Sequence, residues 1–378
     1  MKIKRYLQDI IEEWLFRGKV ITIYGARQVG KTTLAKDLLE KHGDTSAYFD
    51  CDLLNVRAAL ESCAPETIKR FVGDHSLVVF DEAQQVINIG KVLKVFHDTY
   101  PEVQVIATGS SSFELANRTK EFLTGRGLEF VLYPFSFMEL VNAEGMVKID
   151  ARKDFFMLYG LYPEVCQASL NDARFLLENL TGKYLYKDIL QFENIKKPDK
   201  LLMLLKLLAY QLGNEVSVHE LATRLSVNRD TVDRYLDLLE KSFVIFRMKA
   251  FSRNLRKELN KKEKIYFYDV GVRNCLISRF DDIALRDDMG GLWENVCILE
   301  RKKYLQRNKL VCNTYFWRTY DGKEIDYIEE QNGLLYGYEF KFRRSKVKIP
   351  KEFLSAYPGS TIDVVNSDSF WEFISTKA

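Results

Sequence analysis

Short β-branched runs alternate with helical stretches as far as residue 135, which predicts an α/β fold whose parallel sheet is covered on both faces. Two more patterns extend the prediction: residues 151–213 turn helical, and the last third is rich in strands and opens with a helix near Gly291. A chain of 378 residues can hold two or three such domains, each with its own core.

Residues 1–16 place Ile3, Leu7, Ile10, Ile11 and Leu15 on one stripe, so an amphipathic helix packed on the first domain is expected. Val20–Tyr24 reads as a buried strand and Thr33–Leu39 as a helix. Between them stands Gly25-Ala26-Arg27-Gln28-Val29-Gly30-Lys31-Thr32, a complete phosphate-binding loop that runs on into Thr33. Gly25 and Gly30 allow the turns that aim successive N–H groups at one anion. In that role Lys31 reaches the β- and γ-phosphates, Thr32 holds Mg²⁺, and the helix N-terminus adds its dipole. The implied ligand is a nucleoside triphosphate, ATP with Mg²⁺.

Ser76–Phe80 is a second apolar strand, and it ends in Asp81-Glu82. An acid at that edge can hold the Mg²⁺ shell, and Glu82 beside it can polarise an attacking water. Without the phosphate loop the pair would read as two solvated carboxylates. Val103–Ala107 is a third strand, ending in Thr108-Gly109-Ser110-Ser111-Ser112. Hydroxyls there, Ser110 foremost, suit the place of sensor 1 in ATPases with an inserted central strand. Tyr48–Asp52 is a further strand, whose end should bring Asp50 or Asp52 near the site. Arg126 lies between two glycines and has three readings: an arginine finger acting in trans, a sensor acting in cis, or a surface arginine. Phe135–Leu140 begins another helix.

Leu201–Tyr210 is apolar nearly all round, as a core helix would be. Val218–Leu225, the turn Ser226–Asn228, Arg229–Glu240 and the strand Phe243–Met248 make a helix-turn-helix with a wing. Asp230, Asp233, Asp237 and Glu240 offset Arg229 and Arg234, which favours packing or interaction over reading DNA. Arg253–Lys264 carries six basic residues against two acidic ones. It is the best local nucleic-acid patch, with a solvated charged loop as the competing reading.

In the last third the strands Thr314–Arg318, Lys323–Ile328 and Leu335–Phe342 follow the helix, with a turn at Asp321-Gly322. Strand alternation gathers Asp326, Glu339 and Lys341, with Glu294 available from the helix. Carboxylates for a divalent ion plus a lysine make a metal-nuclease arrangement. A sheet face of cross-strand ion pairs is the competing reading.

A net charge of +3 means that any nucleic-acid surface must be local. No apolar run reaches membrane-spanning length, and the start, Met1 to Tyr6, lacks a signal-peptide core. Cysteines 51, 63, 166, 275, 297 and 312 are scattered and the chain has only four histidines, which fits neither a disulfide frame nor a structural zinc site. The cytoplasm is the expected compartment, with DNA and a second copy of the chain as candidate partners and no membrane.

The blocks Gly25–Thr33, Leu77–Gln84, Thr108–Ser112, Leu123–Gly127 and Pro134–Glu139, together with Leu292–Asn295, Tyr315–Arg318, Glu324–Asp326 and Glu339–Lys341, resemble a known family. It is a bacterial and archaeal family of predicted P-loop ATPases, an AAA-like domain followed by the C-terminal domain called DUF4143. The likeness spans nearly the whole chain; the phosphate loop is generic, and the later blocks are more specific. The resemblance implies an ASCE-type ATPase core at 1–145, a helical and winged-helix domain at 146–265, and a restriction-endonuclease-like α/β domain at 266–378. The last resembles PD-(D/E)xK enzymes, with their Pro-Asp replaced here by Ile325-Asp326. The expected function is ATP hydrolysis coupled to a winged-helix and nuclease-like module acting on DNA. The alternatives are a slow ATP-dependent switch with an inert nuclease-like domain, and a DNA motor or loader without cleavage.

Overall fold

Five short strands build the first sheet: β1 (Val20–Tyr24), β2 (Ser46–Asp50), β3 (Leu77–Asp81), β4 (Gln104–Gly109) and β5 (Gly127–Val131). Their order is β2-β3-β4-β1-β5, and every pairing is parallel. Strands β1, β3 and β4 are buried along their whole length, as near-continuous apolar runs require when helices cover both faces. The strand that leads into the phosphate loop and the strand that ends in the acids are separated by β4, which is the inserted central strand. All three present their C-terminal ends at one edge of the sheet. The computed structural model describes residues 2–110, 123–185, 195, 197–252, 263–319, 321–345 and 347–375.

The helix Lys31–Glu40 buries Leu34, Ala35, Leu38 and Leu39. The helix Ile89–Thr99 buries Val92, Leu93 and Phe96, and the rings of Phe49, Phe80 and Phe96 pack in succession across the sheet. The N-terminal helix is shorter than its stripe suggested, Tyr6–Glu12. Ile3, Leu7, Ile10 and Ile11 are buried as expected, but Arg5 is extended, with φ −89° and ψ 133°. Its buried guanidinium donates to Val29 O at 2.8 Å and to Tyr133 O, so backbone ahead of the helix is spent on reaching the loop. Strand β2 begins and ends two residues earlier than expected.

The chain divides into two compact units, Met1–Phe135 with Lys241–Phe243, and Ser136–Glu240 with Val244–Ala378. In the second unit, Ser136 and Glu139 form a capping box that starts the helix Phe137–Glu144. A mixed sheet follows, made of β6 (Glu215–Val216), β7 (Ile245–Ala250), β8 (Glu263–Phe267), β9 (Asn313–Arg318), β10 (Glu324–Gln331), β11 (Leu334–Phe340) and β12 (Thr361–Val365). Its order is β12-β11-β10-β9-β7-β8-β6, with β7 joined to β9 in parallel. Position 265 therefore lies inside β8, in a sheet that runs on to both sides of it. The helix Pro198–Tyr210 buries Leu201, Leu204, Leu205 and Leu208 but leaves Met203 and Tyr210 exposed, so it is one-sided rather than a core helix. The helices Val218–Leu225 and Arg229–Lys241 stand either side of the expected turn. Residues 253–262 of the basic stretch lie outside the described residues, as do Ser111 and Ser112. Among the described residues no helix is long and apolar enough to cross a membrane.

Candidate nucleotide site and a second carboxylate cluster

The phosphate loop is shaped by what cannot fit in it. A Cβ at Gly25 would stand 2.3 Å from Leu132 O, so only glycine lets the loop pass the end of β5. Gly30 has φ 98°, the left-handed region that glycine enters at no steric cost, and it caps the helix that Lys31 begins. Lys31 is buried, and its Nζ donates to Gly25 O and Ala26 O, each at 3.0 Å. The ammonium thus lies across the mouth of the cradle. Ala26 and Val29 are buried, Arg27 is half-buried, and Gln28 and Thr33 face solvent.

Asp81 is the centre of a hydroxyl cluster. Its Oδ2 accepts from Thr32 Oγ1 and from Tyr48 OH, both at 2.6 Å, and its Oδ1 accepts from Thr108 Oγ1. Asp81 is buried, so these bonds fix its orientation. Burial, and then the Asp81 charge, push the Tyr48 hydroxyl far above its usual range, so it stays a donor at any physiological pH. Glu82 adopts φ 49°, uncommon for a residue with a side chain, which swings it out of line with β3. Its N–H donates to Thr108 Oγ1 at 3.2 Å. Gln84 Nε2 donates to Glu82 Oε2 at 2.5 Å and to Ser110 Oγ at 3.2 Å, so one amide ties the acid to the hydroxyl at the end of β4.

The first unit therefore brings Gly25, Ala26, Lys31, Thr32, Asp81, Glu82 and Ser110 to one edge of the sheet. Arg126 is not among them. Val20 N donates to Arg126 O, which places Arg126 level with the start of β1, about 13 Å of strand away from the loop. Its Nε donates to Asp98 Oδ1 at 3.1 Å. That position takes Arg126 out of its own chain's site and corrects the cis-sensor reading. Asp50 stands beside Asp81 in the register of β2 with β3, near the site as expected, and its Oδ1 accepts from Asp52 N at 2.9 Å. The β2 residue bonded to Asp81 is Tyr48. Tyr48 and Gln84 were given no site role in the sequence reading, which looked for acids and hydroxyls at strand ends and so took in Thr108; the alternation of Tyr48 with Asp50 on one face was the available signal.

The second unit holds its own cluster, drawn from β8, β10, β11 and a helix. Asp326 sits at a bulge in β10, where pairing with β9 shifts between Ile325 and Ile328, and its Oδ2 accepts from Phe340 N at 2.9 Å. Lys341 Nζ lies 3.2 Å from Glu339 and 3.7 Å from Asp326. Glu294 comes from the helix Met289–Arg307, and its Oε1 accepts from Lys264 Nζ at 2.8 Å and from Tyr266 OH at 2.5 Å. Lys264 Nζ also lies 2.5 Å from Glu324. Burial, followed by the nearby Asp326 charge, pushes the Glu339 carboxyl up to about 7. Glu294 is also pushed up to about 7 by burial, against the pull of Lys264.

The two acid groups differ in what they can hold. Thr32 and Asp81 offer the hard oxygen donors that suit Mg²⁺, beside a loop whose glycine leaves room for phosphate. In the second unit each carboxylate already has a lysine, and among the described residues no three His, Cys, Asp or Glu side chains are arranged to hold a metal ion.

Three stretches of the chain match known families. Residues 17–141 match the AAA domain family, 152–282 a domain of unknown function (DUF8612), and 289–370 a domain of unknown function (DUF4143). An uncharacterized protein of Mycobacterium tuberculosis is 28% identical over 349 residues, covering 90% of this chain and 74% of the relative. One from Methanocaldococcus jannaschii is 25% identical over 341 residues, covering 78% and 71%. Among solved structures, the chain is similar to the Thermotoga maritima RuvB Holliday junction branch migration motor at 15% identity. That match has a TM-score of 0.32 and covers 65% of this chain and 90% of that one. The Cdc6p structure from Pyrobaculum aerophilum matches at 13% identity, with a TM-score of 0.29 and coverage of 72% and 92%.

Proposed function

Because residues 17–141 match the AAA domain family and residues 289–370 the DUF4143 family, we propose that the chain binds ATP with Mg²⁺ and hydrolyses it. The observation that carries this reading is the 2.6 Å contact from Thr32 Oγ1 to Asp81 Oδ2, which joins the phosphate loop to the acid of β3. Lys31 exchanges the carbonyls of Gly25 and Ala26 for phosphate oxygens, keeping its charge paired throughout. Mg²⁺, when bound with ATP, supplies positive charge beside the β- and γ-phosphates, and Thr32 with Asp81 would hold it. Glu82 orients a water and takes its proton, while Ser110, tied to Glu82 through Gln84, reads the γ-phosphate position. Arg126 is a finger for a neighbouring protomer. Lys31→Ala should abolish binding of a non-hydrolysable ATP analogue in calorimetry; parental affinity in that variant would sink the assignment.

For the second unit the first reading is a winged-helix and nuclease-like module acting on DNA. The order helix, β6, two helices, then the β7–β8 pair supports the winged-helix part. A second reading, an ATP-dependent switch with an inert nuclease-like domain, is favoured by a specific observation: Glu294, Glu324, Asp326 and Glu339 are each within ion-pair distance of Lys264 or Lys341. The exposed side of the helix Arg229–Lys241 leans the same way, since Asp233 and Asp237 face Arg229 and Arg247 rather than leaving those cations to a phosphate backbone. Turnover stimulated by DNA supports the first reading, and turnover indifferent to DNA supports the second.

A further inference from the structure

We propose that the Lys264 ammonium is a built-in cation in the second unit. It takes the place that a divalent ion would occupy between Glu294 and the carboxylates of β10, and makes the cluster a metal-independent brace. The proposal deepens the switch reading, and it concerns the second unit alone, so failure of the ATPase assignment leaves it standing.

Four carboxylates converge here, and a nuclease-like centre would use them through an ion. Lys264 is 1% exposed, with its Nζ 2.8 Å from Glu294 and 2.5 Å from Glu324. A divalent ion shared by Glu294 and its neighbours needs their oxygens at about 2.0–2.6 Å, the ground the ammonium already holds. The two cations cannot be neighbours at that distance in a buried site, because like charges there repel with little screening. Nor can the lysine leave cheaply, since withdrawal would strand Glu294, which is itself buried. Burial alone would lower the Lys264 ammonium, yet Glu294 and Glu324 hold it above its ordinary value, so it stays charged. The Phe316 ring lies 5.4 Å from Nζ and Tyr266 OH donates to Glu294, which leaves apolar and donor groups around the pair.

What the lysine joins gives the arrangement its consequence. Lys264 is on β8, Glu294 on the helix Met289–Arg307, and Glu324 at the start of β10. One ammonium therefore ties the strand that follows the helix-turn-helix segment to the helix and strand of the nuclease-like part. A metal centre would make that junction depend on ion supply, whereas a lysine makes it permanent.

The test measures Mn²⁺ binding to the intact, nucleotide-free chain by electron paramagnetic resonance, together with thermal unfolding. In the parent chain, Glu294→Gln should leave Mn²⁺ binding unchanged. Lys264→Met should lower the unfolding midpoint, and Mn²⁺ at a hundredfold excess over its dissociation constant should raise it again by roughly 5 °C. Adding Glu294→Gln to Lys264→Met should remove that recovery. Loss of a Mn²⁺ site from the parent chain on Glu294→Gln would overturn the proposal. So would a folded Lys264→Met protein with the parental midpoint and no response to Mn²⁺. If Lys264→Met yields no folded protein, the comparison of the parent with Glu294→Gln decides by itself.

Discussion

Asp81 accepts three hydroxyls, and each is supplied by a different element: Thr32 from the loop helix, Tyr48 from β2 and Thr108 from β4. A carboxylate held this way has one orientation, so in the proposed function the Mg²⁺ shell it would support is positioned before nucleotide arrives. Tyr48→Phe removes one of those bonds and leaves the phosphate loop intact. Nucleotide binding should persist, while the Mg²⁺ concentration for half-maximal turnover rises roughly tenfold, the share of one hydrogen bond to a charged acceptor. An unchanged Mg²⁺ dependence would make Tyr48 a packing residue. That Lys31, Thr32, Asp81 and Glu82 would meet at one sheet edge was legible in the sequence, because phosphate chemistry dictates both the type and the spacing of the residues proposed for it. Tyr48 was not, since a tyrosine in a strand ordinarily signals packing and its partner lies 33 residues away.

Elements fix which residues can meet. The parallel register of β1 and β5 puts Val20 beside Gly127, and this pairing sends Arg126 to the far end of the sheet from the loop. Period and composition revealed that β1, β3 and β4 exist, but strand order and register arise from long-range pairing that no local pattern carries. Element ends were displaced for physical reasons of the same kind: Arg5 shortens the first helix because its guanidinium is needed at Val29 O. A pH effect belongs at this scale too. Asp269 caps the helix Val270–Leu276 through Val272 N and also accepts Leu161 N at 2.7 Å. Burial pushes its carboxyl up to about 6, against the opposing pull of those N–H groups. A raised acid favours the folded state fully below its ordinary value near 3.8, and that contribution is lost as pH climbs through about 6. Asp269→Asn can satisfy only one of the two N–H groups with its carbonyl oxygen and should cost about 1–3 kcal/mol. It also cannot titrate, so its deficit against the parent in urea unfolding should shrink between pH 4 and 6. A deficit that is flat with pH would show that Asp269 does not titrate in this range.

At the scale of the whole molecule, the question is whether one chain suffices. The near end of the sheet holds the loop, the acid pair and Ser110, while Arg126 lies outside that set, so a finger role requires a second protomer. Mixing Lys31→Ala protomers with Arg126→Ala protomers should then restore ATP turnover, because each supplies what the other lacks. No recovery on mixing, with a rate per chain independent of concentration, would leave Arg126 as a surface residue paired with Asp98. The seven-stranded sheet shows a second limit of sequence reading: β6, β7 and β8 belong to the helix-turn-helix stretch by position, yet they continue the sheet of β9 to β12. Separate motifs along the chain had concealed one continuous hydrogen-bonded layer. The central claim, that the edge formed by β1, β3 and β4 hydrolyses ATP, is tested most directly by Glu82→Gln, with ATP affinity and steady-state turnover measured on the same preparation. Affinity at the parental level with turnover down roughly 10²-fold is the expected result. Turnover at the parental rate would place the water-activating group elsewhere and contradict the site as described.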